Sequence, residues 1–144
     1  MFKRIAVAYN DSPEAAHALD CAIQLSKSLG AELHTITVTA DLPTYTAFSA
    51  AADSSLPRML ANDRAKLYEA LLEKARASAQ LHGVEVFCQM VEGSEVESIV
   101  HFLRGHKADL LVIGLHQRDL YISRLWSTVY ELAQEAPCSV LGVH

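Results

Sequence analysis

A chain of 144 residues with 12 Lys+Arg against 17 Asp+Glu, a formal charge of −5, has the length of one domain and lacks the basic runs that would hold a phosphate backbone, so nucleic acid is a poor partner. At 51% hydrophobic and 20% charged it can build a core burying about two-thirds of its unfolded surface without metal or disulfide support. The three cysteines, Cys21, Cys88 and Cys138, lack CxxC spacing, and the longest apolar run, Leu110 to Leu115, is too short for a bilayer or a signal core, so the expectation is a cytoplasmic protein without disulfides, zinc or membrane association.

The apolar run Ile5 to Tyr9 predicts a first strand, and Ser12-Pro13 supplies an N-cap with proline at the first helical position. The helix that follows carries Leu19, Ile23, Ser26 and Leu29 at helical spacing and stops at Gly30. Leu33 to Val38, with Thr35 and Thr37, reads as a buried second strand. Residues 40–56 show no period and form a long connection ending at Pro57. A second helix is expected from Arg58 to His82 on the stripe Leu60, Leu67, Leu71, Ala75 and Ser78, with Gly83 as its stop. Val84 to Val91, with Glu85 and Gln89 interleaved, suits a third strand at a sheet edge or with one polar face.

Ser94 and Glu97 are spaced as a capping box for a third helix through Val96, Ile99, Val100 and Leu103, closed by Gly105. Leu110 to Ile113, ending at Gly114, is continuous enough in apolar character to be a central strand covered on both faces. A last helix through Val129, Leu132 and Ala133 leads by way of Pro137 into a strand over Cys138 to Val143. The predicted order, βαβ-(loop)-αβαβαβ, implies an α/β domain with a five-stranded parallel open sheet and helices on both faces. In such a sheet ligands bind beyond the carboxyl ends of the strands, which directs attention to Tyr9–Ser12, Val38–Leu42 and Gly114–Thr128.

The turn after the first strand, Asn10-Asp11-Ser12-Pro13, holds no glycine, and GxxxxGK[ST] occurs nowhere, which excludes the backbone cradles of a dinucleotide-binding loop and a P-loop. Asn10 has two readings, an amide that bonds a ribose or base and a simple turn residue. Thr128 and Glu131 are spaced as another capping box, which would leave N–H groups at residues 127–130, Val129 among them, free for an anion near His116, Arg118 and Arg124. The histidines do not share a helical face as metal ligands would, and no serine or cysteine has an identifiable base, so neither a metal centre nor a catalytic triad is expected.

The whole chain resembles the universal stress proteins. The opening Arg4-Ile5-Ala6-Val7-Ala8 running into Asp11-Ser12, the turn Glu92-Gly93-Ser94 and the close Ala136-Pro137-Cys138-Ser139-Val140-Leu141 carry the likeness. The nucleotide-binding members' Gly-x2-Gly-x9-Gly-(Ser/Thr) pattern falls on Gly114, Gln117, Ser127 and Thr128. The resemblance implies the same α/β fold and an adenine nucleotide, ATP or another, with Mg possible beside ATP. Val38 would present backbone groups to the adenine, Asn10 would stand near ribose or base where many members have aspartate, and Gly114, His116, Gln117, Ser127, Thr128 and Val129 would complete the site. It also implies a homodimer through the last strand, a stress-response role and at most slow ATP hydrolysis. Gln117 and Ser127 replace two of the three motif glycines, which supports an alternative: a nucleotide-free dimer acting through protein–protein contacts.

Overall fold

The computed structural model describes residues 1–39, 56–115 and 122–144, with side chains throughout these except at 56–61 and 122–127. Among the described residues five strands, β1 (Arg4–Ala8), β2 (Glu32–Thr39), β3 (Val86–Glu92), β4 (Leu110–Gly114) and β5 (Ser139–Val143), alternate with four helices, α1 (Pro13–Leu29), α2 (Leu56–Leu81), α3 (Glu95–Gly105) and α4 (Ile122–Glu135). The strands form one sheet in the order β3-β2-β1-β4-β5, all paired parallel, as the alternation of elements predicts. The long connection over 40–56 lies almost wholly outside the described residues.

Period-two alternation along the strands divides the core into two layers. Ile5 and Val7 of β1 and Leu110 and Val112 of β4 pack under α1 and α2 with Leu19, Ile23, Leu71 and Ala75. Ala6 of β1 and Leu111 and Ile113 of β4 turn the other way, onto Ile99 and Leu103 of α3 and Leu132 of α4. Covered on both faces, β1 and β4 read as unbroken apolar runs. β3 lies at one edge of the sheet and β5 at the other, which explains the polar residues interleaved in β3.

Several local expectations need correction. The buried stripe of α2 runs through Leu71, Ala75 and Ala79, while Leu67 is 72% exposed; partly buried Tyr68, one position further round the helix, packs on the core instead. Leu29 at the end of α1 is likewise exposed. β3 begins at Val86, not Val84, because the Val84 N–H donates to the Ala79 carbonyl at 3.0 Å and closes α2 behind the left-handed Gly83. Ser94 has cap geometry and its carbonyl accepts from the Ser98 N–H at 3.0 Å, but its side chain makes no capping bond. α3 does end at Gly105, yet the left-handed residue beyond it is Lys107, with φ 51°. By contrast, Ser12 caps α1 as its spacing predicts, its Oγ accepting from the Ala15 N–H at 3.1 Å, and Gly30 takes the left-handed conformation with φ 63°.

β2 carries Thr35 and Thr37, both almost fully buried, and neither hydroxyl has a hydrogen-bond partner. A buried unpaired hydroxyl costs about 1–3 kcal/mol relative to one that keeps its partner. Thr35→Val, which retains the branched shape and removes the polar atom, is therefore expected to stabilise the protein by about 1 kcal/mol. The check is urea unfolding, in which the midpoint rises at unchanged slope; an unchanged or lower midpoint would refute it.

Candidate functional site

The chain builds β1, then β2 and β3 on one side of it, and then crosses back to place β4 and β5 on the other. The reversal between β1 and β4 opens a crevice beyond their carboxyl ends, the place where α/β sheets receive ligands. Register sets the heights of the candidate residues. Ala8 pairs with Ile36, so Asn10, two residues on, stands level with Val38; Val7 pairs with Val112, so Gly114 stands level with Tyr9. Asn10, Val38 and Gly114 thus converge at one end of three adjacent strands.

Tyr9 holds the line of β1 one residue past its end, its N–H donating to the Ile36 carbonyl at 3.0 Å. The chain then turns at Asn10, whose carbonyl accepts from the Ser12 N–H at 3.0 Å and whose Oδ1 accepts from the Ser12 hydroxyl at 2.5 Å. Asn10 is therefore a turn residue, as one of its two readings has it. Its Nδ2 makes no hydrogen bond among the described residues, so the exposed residue keeps an amide donor available. Val38, half-buried, sits in the last turn of the β2–β3 ladder opposite Val91.

Gly114 has a role that its spacing does not reveal. A Cβ there would collide with the backbone carbonyl of Glu14 and lie 2.8 Å from the Glu14 Cβ, so the first turn of α1 rests directly on the end of β4. This contact ties the Ser12 cap and the Asn10 turn to the strand across the crevice. Nothing in the sequence marks Glu14 as a neighbour of Gly114, since the approach depends on how α1 crosses the sheet. Beyond it, the Leu115 N–H donates to the Val143 carbonyl at 2.7 Å and continues β4 against β5.

The anion site expected at Thr128 is corrected. α4 begins at Ile122, so Thr128 and Val129 lie in its second turn, where their N–H groups are taken by carbonyls four residues earlier. Thr128 is not an N-cap, and the unsatisfied N–H groups of α4 belong to residues 122–125. The sequence carries the reason: the apolar spacing of Val129, Leu132 and Ala133 continues backwards through Ile122, Leu125 and Trp126. Thr128 and Val129 are half-buried, Val129 against the α3/α4 core layer. His116, Gln117 and Arg118 lie outside the described residues, as do the side chains of Arg124 and Ser127. The described part of the site thus consists of open strand ends with the exposed Asn10 beside them.

Two ionisable groups are displaced from their ordinary range. Burial, and then the negative charge of Asp11, pushes the Tyr9 phenol up, with Cys88 and Asp20 adding to it. Burial and then Asp109 push the Cys138 thiol up, against the pull of the Leu111 N–H, so it is held protonated and is a poor nucleophile. All three cysteines are free. No group of three or more His, Cys, Asp or Glu among the described residues is placed to hold a metal, and no described helix is long and apolar enough to cross a membrane.

Comparison with known proteins agrees with this architecture. The model of the universal stress protein family matches residues 1–144. Universal stress protein MJ0531 of Methanocaldococcus jannaschii is 28% identical over 144 residues, covering 99% of this chain and 82% of that protein. A universal stress protein solved in complex with cAMP is 25% identical with a TM-score of 0.77, the match spanning 99% of this chain and 97% of the other. A family member from Arabidopsis thaliana with AMP bound shares 16% identity and a TM-score of 0.71 over 98% of this chain and 90% of its own.

The Gly114 contact makes a paired prediction. Gly114→Ala is expected to destabilise the fold by about 1–3 kcal/mol, because the added methyl meets backbone that cannot step aside. Gly105→Ala, where the methyl meets nothing within 4 Å, is expected to be neutral or stabilising. Equal effects of the two substitutions on thermal unfolding would refute the close approach.

Proposed function

Because the chain belongs to the universal stress protein family, we propose that it is an adenine-nucleotide-binding regulatory module of the stress response, taking ATP, ADP or AMP in the crevice between β1 and β4. The observation that carries this reading is the convergence of Asn10, Val38 and Gly114 at the strand ends beside the switch point, in a fold whose relatives include proteins solved with cAMP and AMP. In this reading Val38 offers backbone groups to the base and Asn10 donates its free amide to base or ribose. Gly114 keeps the floor low, and His116, Gln117, Ser127 and the hydroxyl of Thr128 approach the phosphates, with Val129 behind them on the core layer. Mg would accompany ATP, and hydrolysis is at most slow, in keeping with the family resemblance and with the lack of a paired nucleophile and base among the described residues. The protein acts in the cytoplasm as a homodimer joined through β5, whose apolar sequence Ser139-Val140-Leu141-Gly142-Val143 forms one sheet edge.

A second reading rests on Gln117 and Ser127, which stand where the nucleotide-binding members' pattern has glycine. A side chain at either position occupies space that bare backbone leaves to the phosphates, and a loss of about 1.4 kcal/mol is a tenfold loss of affinity. On this reading the protein is a nucleotide-free dimer that works through protein–protein contacts.

Melting with each nucleotide in excess tests the first reading. A ligand at 100 times its Kd adds about 2.7 kcal/mol of stability, so the melting temperature is expected to rise by several degrees with at least one of ATP, ADP and AMP. No shift with any of them, together with no nucleotide released by acid from freshly purified protein, would refute it. The double variant Gln117→Gly, Ser127→Gly separates the two readings: binding is expected in the parent and to tighten in the variant, whereas binding gained only in the variant establishes the nucleotide-free reading.

A further inference from the structure

A small cavity opens between α1 and α2, on the face of the sheet to which Tyr9 turns. It holds about 150 Å³, room for a ligand of about six non-hydrogen atoms, since benzene fits a void of that size. Ala16, Leu19 and Asp20 share one face of α1, three and four residues apart, and with Asp11 from the preceding turn they form one wall. Lys74 and Ser78, four residues apart on α2, form the other.

Tyr9 singles this cavity out. The residue is 7% exposed and packs in the core layer under α1 and α2, yet its hydroxyl makes no hydrogen bond among the described residues. Buried polar groups are retained where the chain, water or a ligand completes them. The chain does not do so here: the nearby Ser12 hydroxyl is taken up by the Asn10 Oδ1 and the Ala15 N–H. Burial, and then Asp11 with Cys88 and Asp20, pushes the phenol up, so it keeps its proton and lies within electrostatic reach of both carboxylates on the α1 wall.

The charges around the cavity are divided between its walls. Asp11 and Asp20 stand on the α1 side and Lys74 on the α2 side, and none of the three makes an ion pair among the described residues. Walls that closed on each other would pair Lys74 with a carboxylate directly; the cavity keeps them apart. Carboxylates recognise an ammonium and a lysine recognises a carboxylate, so a ligand with both charges on a short stem answers the two walls at once. A simple amine meets Lys74 as a like charge, and a simple carboxylate meets Asp11 and Asp20.

We propose that this cavity binds a compact zwitterion of the amino-acid class. Its ammonium lies against Asp11 and Asp20, its carboxylate against Lys74, and its aliphatic stem against Ala16 and Leu19. The Tyr9 hydroxyl stands between the two ends, where it donates to the carboxylate and accepts from the ammonium. The site adjoins the nucleotide crevice only at the Asn10 turn, includes neither Val38 nor Gly114, and is too small for a nucleotide, so it does not rest on the nucleotide reading.

The test is a titration of the full chain followed by saturation-transfer NMR on the ligand, with alanine and 4-aminobutyrate as zwitterions and propylamine and propionate as single-charge analogues. At least one zwitterion is expected to bind about tenfold more tightly than both analogues. Asp20→Asn and Lys74→Gln, at exposed positions, are each expected to weaken that binding by about tenfold. Tyr9→Phe is expected to weaken it several-fold while the melting temperature of the free protein holds or rises, because the hydroxyl removed has no partner. Excess AMP is expected to leave the zwitterion bound. No transfer to either zwitterion overturns the proposal and leaves the cavity to water. An amine that binds as tightly overturns the ligand class, and displacement by AMP overturns the separate site. Unchanged affinity in both Tyr9→Phe and Asp20→Asn places the bound molecule elsewhere and overturns the proposal as well.

Discussion

The pairing of β1 with β4 is the constraint on which the rest of the molecule depends. These strands are far apart in sequence and adjacent in space, and their central residues, Ile5 to Val7 and Leu110 to Ile113, are almost wholly buried on both faces. Burial of this completeness leaves no place for polar side chains, so the two strands are the most uniformly apolar segments of the chain. The same pairing forces the reversal of strand order. Once β2 and β3 occupy one side of β1, β4 can enter only on the other, and the helices that follow β1 and β4 diverge to opposite faces. The crevice where the candidate residues meet is the space that this divergence leaves.

Gly114 is where that architecture meets the site. α1 must leave the end of β1 and pass over the end of β4, and it does so with Glu14 backbone resting where a side chain at 114 would stand. The glycine is required by packing, whatever binds above it, and it holds the Ser12 cap and the Asn10 turn in place relative to β4. The two edges of the sheet contrast with this buried centre. β5 and β3 form the two edges of the sheet among the described residues and are only partly buried, with Phe87 and Met90 of β3 exposed.

Much of this is legible in the residues. The alternation of strand and helix, the Ser12-Pro13 start and Gly30 stop of α1, and the central place of Leu110 to Ile113 follow from periodicity and cap chemistry, because each depends on neighbours within one or two turns. The errors have equally local causes. Thr128 and Glu131 satisfy the spacing of a capping box, but the apolar periodicity of the sequence extends back to Ile122, where the helix begins. Leu67 fits the α2 stripe in sequence and yet faces solvent, because the face turned to the core runs through Tyr68, Leu71 and Ala75.

By itself, then, the sequence determined that this protein is a parallel α/β domain of a recognisable family, since hydrophobic period and end signals are properties of short stretches of chain. The tertiary structure decided what those stretches do to one another: that Asn10, Val38 and Gly114 come within one residue of the same height, that Glu14 closes on Gly114, that Thr35 and Thr37 are buried without partners, and that Phe87 is exposed at the sheet edge. Each of these depends on register and crossing geometry between segments distant in sequence. No local pattern encodes them, because the free energy that sets them comes from the packing of the assembled layers.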